Sequence, residues 1–109
     1  MSILGALLVG AAGAPAQLPS TLEVRGRVLD EGGSPVRSAV VALAAVGTDT
    51  GSRNTRTDSV GRFSIRAPGG RTFELRAHRI GYYAFATLVR FDSDSSMVYR
   101  ELTLTRAAV

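Results

Sequence analysis

Leu22-Glu23-Val24-Arg25-Gly26-Arg27-Val28 places Leu22, Val24 and Val28 on one side of an extended chain, with Glu23, Arg25 and Arg27 on the other. That period of two marks a half-buried strand. Gly26 has no side chain in mid-strand, which suits a bulge or the close approach of a neighbour. Downstream, Asp30-Glu31-Gly32-Gly33-Ser34-Pro35 is a turn cluster, with glycines for positive φ and a proline to preset the bend. Val36, Ala39, Val41 and Leu43 carry the inward set onto a second strand.

The same grammar runs to the end of the chain. Residues 47–54 are polar and predict a loop, and a short third strand is expected around Thr55 to Thr57. Asp58-Ser59-Val60-Gly61 is a turn in which Asp58 caps its own backbone and Gly61 supplies the left-handed residue. Phe63 and Ile65 point inward on a fourth strand. Ala67-Pro68-Gly69-Gly70 turns the chain, and Phe73, Leu75 and Ala77 form a fifth strand that closes at Gly81. Tyr83, Phe85, Thr87, Val89 and Phe91 alternate on a sixth. Val98, Leu102 and Leu104 make the last, with Arg100 interrupting the inward set. No stretch after the first 16 residues holds a 3.6-residue apolar period for three turns. Without a helix to cover it, a single sheet would leave an apolar face wet, so two sheets packed face to face are expected.

Composition narrows the function classes. The chain of 109 residues has no Cys, so disulfides and thiolate metal sites are excluded. Its 13 basic residues are all Arg, giving a net charge of +4. They are spread from Arg25 to Arg106 among acids, unlike the clustered basic surface of a nucleic-acid binder. At the start, Ile3 to Ala12 is a short apolar run followed by Ala14-Pro15-Ala16. This pattern predicts a signal-peptide helix over 1–16, cut after Ala16, although no Lys or Arg precedes it. The run is too short to span a bilayer, and no span is expected in the mature chain. A linker over 17–21, a domain over 22–105 and a tail over 106–109 complete the expected organisation. Export would place the protein in the periplasm, at the outer membrane or outside the cell.

The punctuation resembles the carboxypeptidase regulatory-like domain. The residues that carry it are Val24-Arg25-Gly26-Arg27-Val28, Asp30, Gly33, Pro35-Val36, Ala39, Val41 and Leu43. They continue with Thr57-Asp58-Ser59-Val60-Gly61-Arg62-Phe63-Ser64-Ile65, Leu75 and Gly81-Tyr82. The resemblance implies an all-β, antiparallel, seven-stranded Greek-key sandwich, transthyretin-like or immunoglobulin-like, related to carbohydrate-binding folds. It also implies a folding, docking or binding module without chemistry, of the kind that accompanies peptidases, outer-membrane receptors and secreted proteins. Fold alone does not fix function.

The candidates for chemistry are few. His78, the sole His, lies on the predicted fifth strand beside Arg76 and Arg79. A hydrolytic dyad with Ser64 or Asp58 is conceivable, but an outward strand residue is the preferred reading. Hydroxyisourate hydrolases share the transthyretin-like fold and end in Tyr-Arg-Gly-Ser, whereas Tyr99-Arg100-Glu101-Leu102 departs from that ending. Asp92, Ser93 and Asp94 could offer oxygens to calcium, yet they lack a glycine-bent loop and a bidentate Glu, so a solvated turn is preferred. Gly69-Gly70-Arg71 lacks the Lys-Ser/Thr of a phosphate-binding loop. No cofactor, metal or catalytic residue is therefore assigned.

A binding surface is the better candidate. Arg62, Ser64 and Arg66 should share the outer face of one strand, and Glu23, Arg25 and Arg27 that of another. Thr72, Glu74, Arg76 and His78 form a mixed outer face on a third. Tyr82, expected to lie over the sandwich end beside Gly81, and Tyr99 could stack on a sugar ring. Tyr83 falls in the inward set. Arg62, Arg66, Tyr82 and Tyr99 are accordingly the candidate ligand-binding residues, and Asp58, Gly61 and Gly81 the structural turns. The expected function is an exported, non-catalytic interaction or scaffold module with an unknown protein or glycan partner. The alternatives are a carbohydrate-binding module and the N-terminal domain of a larger outer-membrane receptor.

Overall fold

The computed structural model describes residues 22–47, 51–67, 71–92 and 95–108. They form seven strands: β1 (Glu23–Asp30), β2 (Val40–Ala45), β3 (Ser52–Arg56), β4 (Arg62–Arg66), β5 (Thr72–His78), β6 (Phe85–Arg90) and β7 (Met97–Leu104). One sheet has the order β4-β1-β7, the other β3-β2-β5-β6. The chain changes sheet between β1 and β2, β3 and β4, β4 and β5, and β6 and β7. This interleaving is the Greek-key type of connection. The expected leader and linker, 1–21, lie outside the described residues, as do Pro68-Gly69-Gly70, Ser93-Asp94 and Val109.

The alternation read from the sequence builds the core. Val24 and Val28 of β1, Phe63 and Ile65 of β4, and Leu102 and Leu104 of β7 line one inner face. Val41, Leu43, Phe73, Leu75, Ala77 and Val89 line the other, with Val36, Ala39 and Phe91 closing the rim. Phe73 meets Phe91 edge-on, their ring centroids 5.7 Å apart. A T-shaped pair of that kind adds roughly 0.5–1.5 kcal/mol beyond the area it buries.

Gly26 explains how β1 sits between two neighbours. A Cβ there would come within 1.8 Å of the Arg100 carbonyl oxygen and 2.9 Å of Phe63 Cε1. The backbone approach is possible only for glycine, and the register runs through Gly26 without a bulge. Gly61 has φ of 80° and its Cβ position is 2.6 Å from the Val28 carbonyl oxygen. Asp58 Oδ1 accepts from the Val60 and Arg62 amides, so the Asp–Gly corner forms as the sequence predicts. Gly81 turns at φ of 95°.

Four of the five strand pairs are antiparallel, but β1 and β7 run parallel, from Glu23 opposite Met97 to Asp30 opposite Leu104. The other four pairs make the antiparallel sandwich that the sequence predicts. The cause of the parallel pair is parity. Every connection reverses the chain, so the first and seventh strands point the same way and pair in parallel once they lie side by side.

Three local expectations also shift. The polar stretch expected as loop contributes β3, which starts at Ser52 because β2 offers it a free edge. Tyr83 is 56% exposed rather than inward, because the alternation of β6 begins only at Phe85. Beyond β7, Arg106 bridges Tyr82, and the Ala107 amide donates to the Gly81 carbonyl. The predicted tail thus follows the sandwich end through these contacts.

Candidate interaction site

The outer face of the β4-β1-β7 sheet is built by strict cross-strand pairing. Its rows read Arg66–Glu23–Met97, Ser64–Arg25–Tyr99 and Arg62–Arg27–Glu101. In the first, Glu23 faces an Arg, the favourable arrangement for directly opposed charges. The Ser64 hydroxyl donates to Glu23 Oε2, and Arg25 Nη2 lies 3.2 Å from Glu23 Oε1. The Ser64 hydrogen bond, followed by the Arg25 hydrogen bond and the charges of Arg25 and Arg66, holds the Glu23 carboxyl below its ordinary value of 4.5.

The third row is different. Arg27 and Arg62 oppose each other directly across the antiparallel pair. Like charges at such positions destabilise a sheet. Arg27 is half-buried, and its Nε is enclosed without a hydrogen-bond partner. Beside this row a groove of about 400 Å³ opens, lined by Arg25, Arg56, Asp58, Arg62, Phe63 and Ser64. Arg56 arrives from the other sheet, at the corner where β3 gives way to β4. Its Nη1 donates to the Ser38 carbonyl at 3.5 Å. Among the described residues, neither Arg56 nor Arg62 forms an ion pair. Among the described residues Asp58 is the one acid lining the groove, and its Oδ1 is already engaged by two backbone amides.

The sequence-predicted residues separate into two places. Arg62, Arg66 and Tyr99 share the sheet face, where Tyr99 is 51% exposed next to Arg25. Tyr82 lies at the end of the sandwich, with the Arg106 guanidinium 5.3 Å from its ring centre. Arg106 follows Tyr99 by seven residues, a span of roughly 20 Å in extended chain. Tyr82 and Tyr99 therefore do not form one aromatic platform. Arg56 is the groove residue that sequence reading passes over. Its signal is the position two residues before Asp58, where the turn carries it around to meet Arg62.

His78 is exposed on the outer face of the four-stranded sheet, whereas Ser64 occupies the outer face of the three-stranded sheet. The core lies between them, so the conceivable His78–Ser64 dyad is not assembled. Among the described residues no three His, Cys, Asp or Glu side chains gather into a metal-holding cluster. No described helix is long and apolar enough to cross a membrane.

Solved structures with a similar fold include dioxygenases by title. A 3-chlorocatechol 1,2-dioxygenase from Rhodococcus opacus 1CP aligns with TM-score 0.62 and 16% identity, over 81% of this chain and 61% of that one. A hydroxyquinol 1,2-dioxygenase from Pseudomonas putida DLL-E4 aligns with TM-score 0.64 and 16% identity, over 84% and 58%. The dioxygenase domain of a dioxygenase–carbohydrate-binding protein fusion from Streptomyces sp. SirexAA-E aligns with TM-score 0.61 and 16% identity, over 81% of each chain. At that identity the likeness is one of fold, and this chain spans about three-fifths of the first two enzymes. No curated protein matches the sequence. The family model described as carboxypeptidase regulatory-like domain matches residues 23–105, from the first strand to just past the last, and the chain belongs to that family.

Proposed function

We propose that this protein is a non-catalytic interaction module that works outside the cytoplasm and engages its partner through the Arg-rich face of the β4-β1-β7 sheet. One observation carries the reading: Arg27 and Arg62 are held directly opposite each other, Arg56 lines the same groove as Arg62, and among the described residues neither Arg56 nor Arg62 forms an ion pair. Opposed like charges cost a sheet stability, and such an arrangement is expected where a partner uses it. The wide separation of His78 from Ser64 supports a role without hydrolysis. Export rests on the apolar run Ile3 to Ala12 and the Ala14-Pro15-Ala16 that follows it.

The test is recovery of the mature protein from the periplasmic and outer-membrane fractions after chemical cross-linking. The double substitution Arg62→Glu with Arg66→Glu should reduce the cross-linked partner at least tenfold, while His78→Ala leaves it unchanged. Cytoplasmic retention of the protein, or a partner held equally by the double variant, would refute the proposal. A second reading rests on Tyr99, a flat, half-exposed ring beside Arg25 that could stack on a sugar. Glycan-array binding that disappears with Tyr99→Ala, but not with Tyr82→Ala, would favour it.

A further inference from the structure

The open edge of β4 adds a backbone feature to this charged face. Gly61, Phe63, Ile65 and Ala67 bond toward β1, as the Val28 amide to the Gly61 carbonyl and the Ala67 amide to the Leu22 carbonyl show. By alternation, the amides and carbonyls of Arg62, Ser64 and Arg66 face away from β1. Asp58 closes both groups of Arg62: its Oδ1 accepts from the amide at 2.8 Å, and its own amide donates to the carbonyl at 3.0 Å. No such closure exists among the described residues for Ser64 or Arg66.

The edges differ in how they are guarded. Charged residues set in the inner-face register discourage strand addition. β3 carries Arg53 opposite buried Leu43, and β7 carries Arg100 in register with Leu102 and Leu104. In β4 that register holds only Phe63 and Ile65. The edge of β6 is also free of such a charge, but its exposed outer residues include Leu88 and no acid-binding cluster.

We infer that the β4 edge takes an extended, acidic polypeptide segment as an added strand. This rests on the interaction-face reading above and names the partner's chemistry. Ser64 and Arg66 supply two donors and two acceptors at the spacing that only another backbone matches. Side chains on alternate residues of the incoming segment would lie on the same face as Arg62 and Arg66. Carboxylates at those positions meet Arg62, with Arg25 and Arg56 alongside, and each guanidinium presents a fork suited to a carboxylate. An acidic polysaccharide could satisfy the charge but not the edge, which is why a polypeptide is the occupant.

The experiment titrates the isotope-labelled mature protein with an end-capped octapeptide of alternating Glu and Val, followed by NMR and amide exchange. The comparison ligands are the same peptide N-methylated on one edge, a Lys–Val peptide and an acidic oligogalacturonate. Exchange at the Ser64 and Arg66 amides should slow at least tenfold with the Glu–Val peptide. Arg62→Glu should weaken that peptide at least tenfold. The N-methylated and Lys–Val peptides should fail to protect the edge. Equal binding of the N-methylated peptide or the oligogalacturonate overturns strand addition, and indifference to Arg62→Glu overturns the acidic specificity. Failure of the peptide, while the cross-linked cellular partner still depends on Arg62 and Arg66, removes this inference and leaves the interaction face standing. Loss of that dependence as well removes both.

Discussion

At Gly26 both neighbours of β1 occupy the space that a side chain would need. The Phe63 ring edge could shift to admit a methyl group, but the Arg100 carbonyl is part of the β7 backbone and cannot yield without opening the ladder. Gly26→Ala is therefore expected to cost about 3 kcal/mol, the upper end of what overpacking usually costs. A urea melt should show the lowered midpoint. Glu23 gives a pH-dependent counterpart on the surface. Its carboxyl titrates below its ordinary value in the folded chain, chiefly through the Ser64 hydroxyl. Its contribution is complete above the unfolded value of about 4.5 and is lost as pH falls through the lower folded value. Wild type should thus be more stable than Glu23→Gln at neutral pH, with the gap closing as pH falls below the carboxylate range. Thermal melts across that range read the difference; a gap that is independent of pH contradicts the stated cause.

At the scale of elements, a buried hydroxyl helps tie the corner between β3 and β4 to the connection between β1 and β2. Thr57 Oγ1 accepts from the Ala39 amide at 2.8 Å and donates to the Val36 carbonyl at 2.7 Å. Thr57→Val keeps the shape and leaves both backbone groups buried and unpaired, at a cost of roughly 1–3 kcal/mol, measurable by denaturant titration. Elements differ in how openly the sequence declares them. The strands β1, β4 and β5 alternate cleanly because each has one face in the core. Ser52-Arg53-Asn54-Thr55-Arg56 has no apolar residue, and its strand state comes from pairing with β2, which no local pattern records. Tyr83 continues an apparent alternation, but its amide donates to the Thr105 carbonyl and the strand proper begins two residues later. The outer Arg residues were legible from alternation alone. That Arg27 opposes Arg62, and that Arg56 joins them, depends on register and on a corner, neither of which a single sequence displays.

For the molecule as a whole, the decisive pairing joins residues far apart in the chain. Glu23 lies opposite Met97, 97 − 23 = 74 residues away. Loops of that length must close before the central ladder forms, so refolding should take milliseconds to seconds, as it does for β-sandwiches of similar connectivity. Stopped-flow fluorescence of the tyrosines would measure it, and microsecond folding would contradict the topology. The parallel β1–β7 ladder also has a mechanical consequence. Segments joined ahead of Glu23 and beyond Leu104 leave from opposite poles, so tension between them drags the two strands past each other lengthwise. Every rung of the ladder then bears load together, rather than parting one at a time from an end as in a hairpin. In a force-clamp measurement the domain should behave as a stiff, stretch-resistant link between whatever is fused to its two ends.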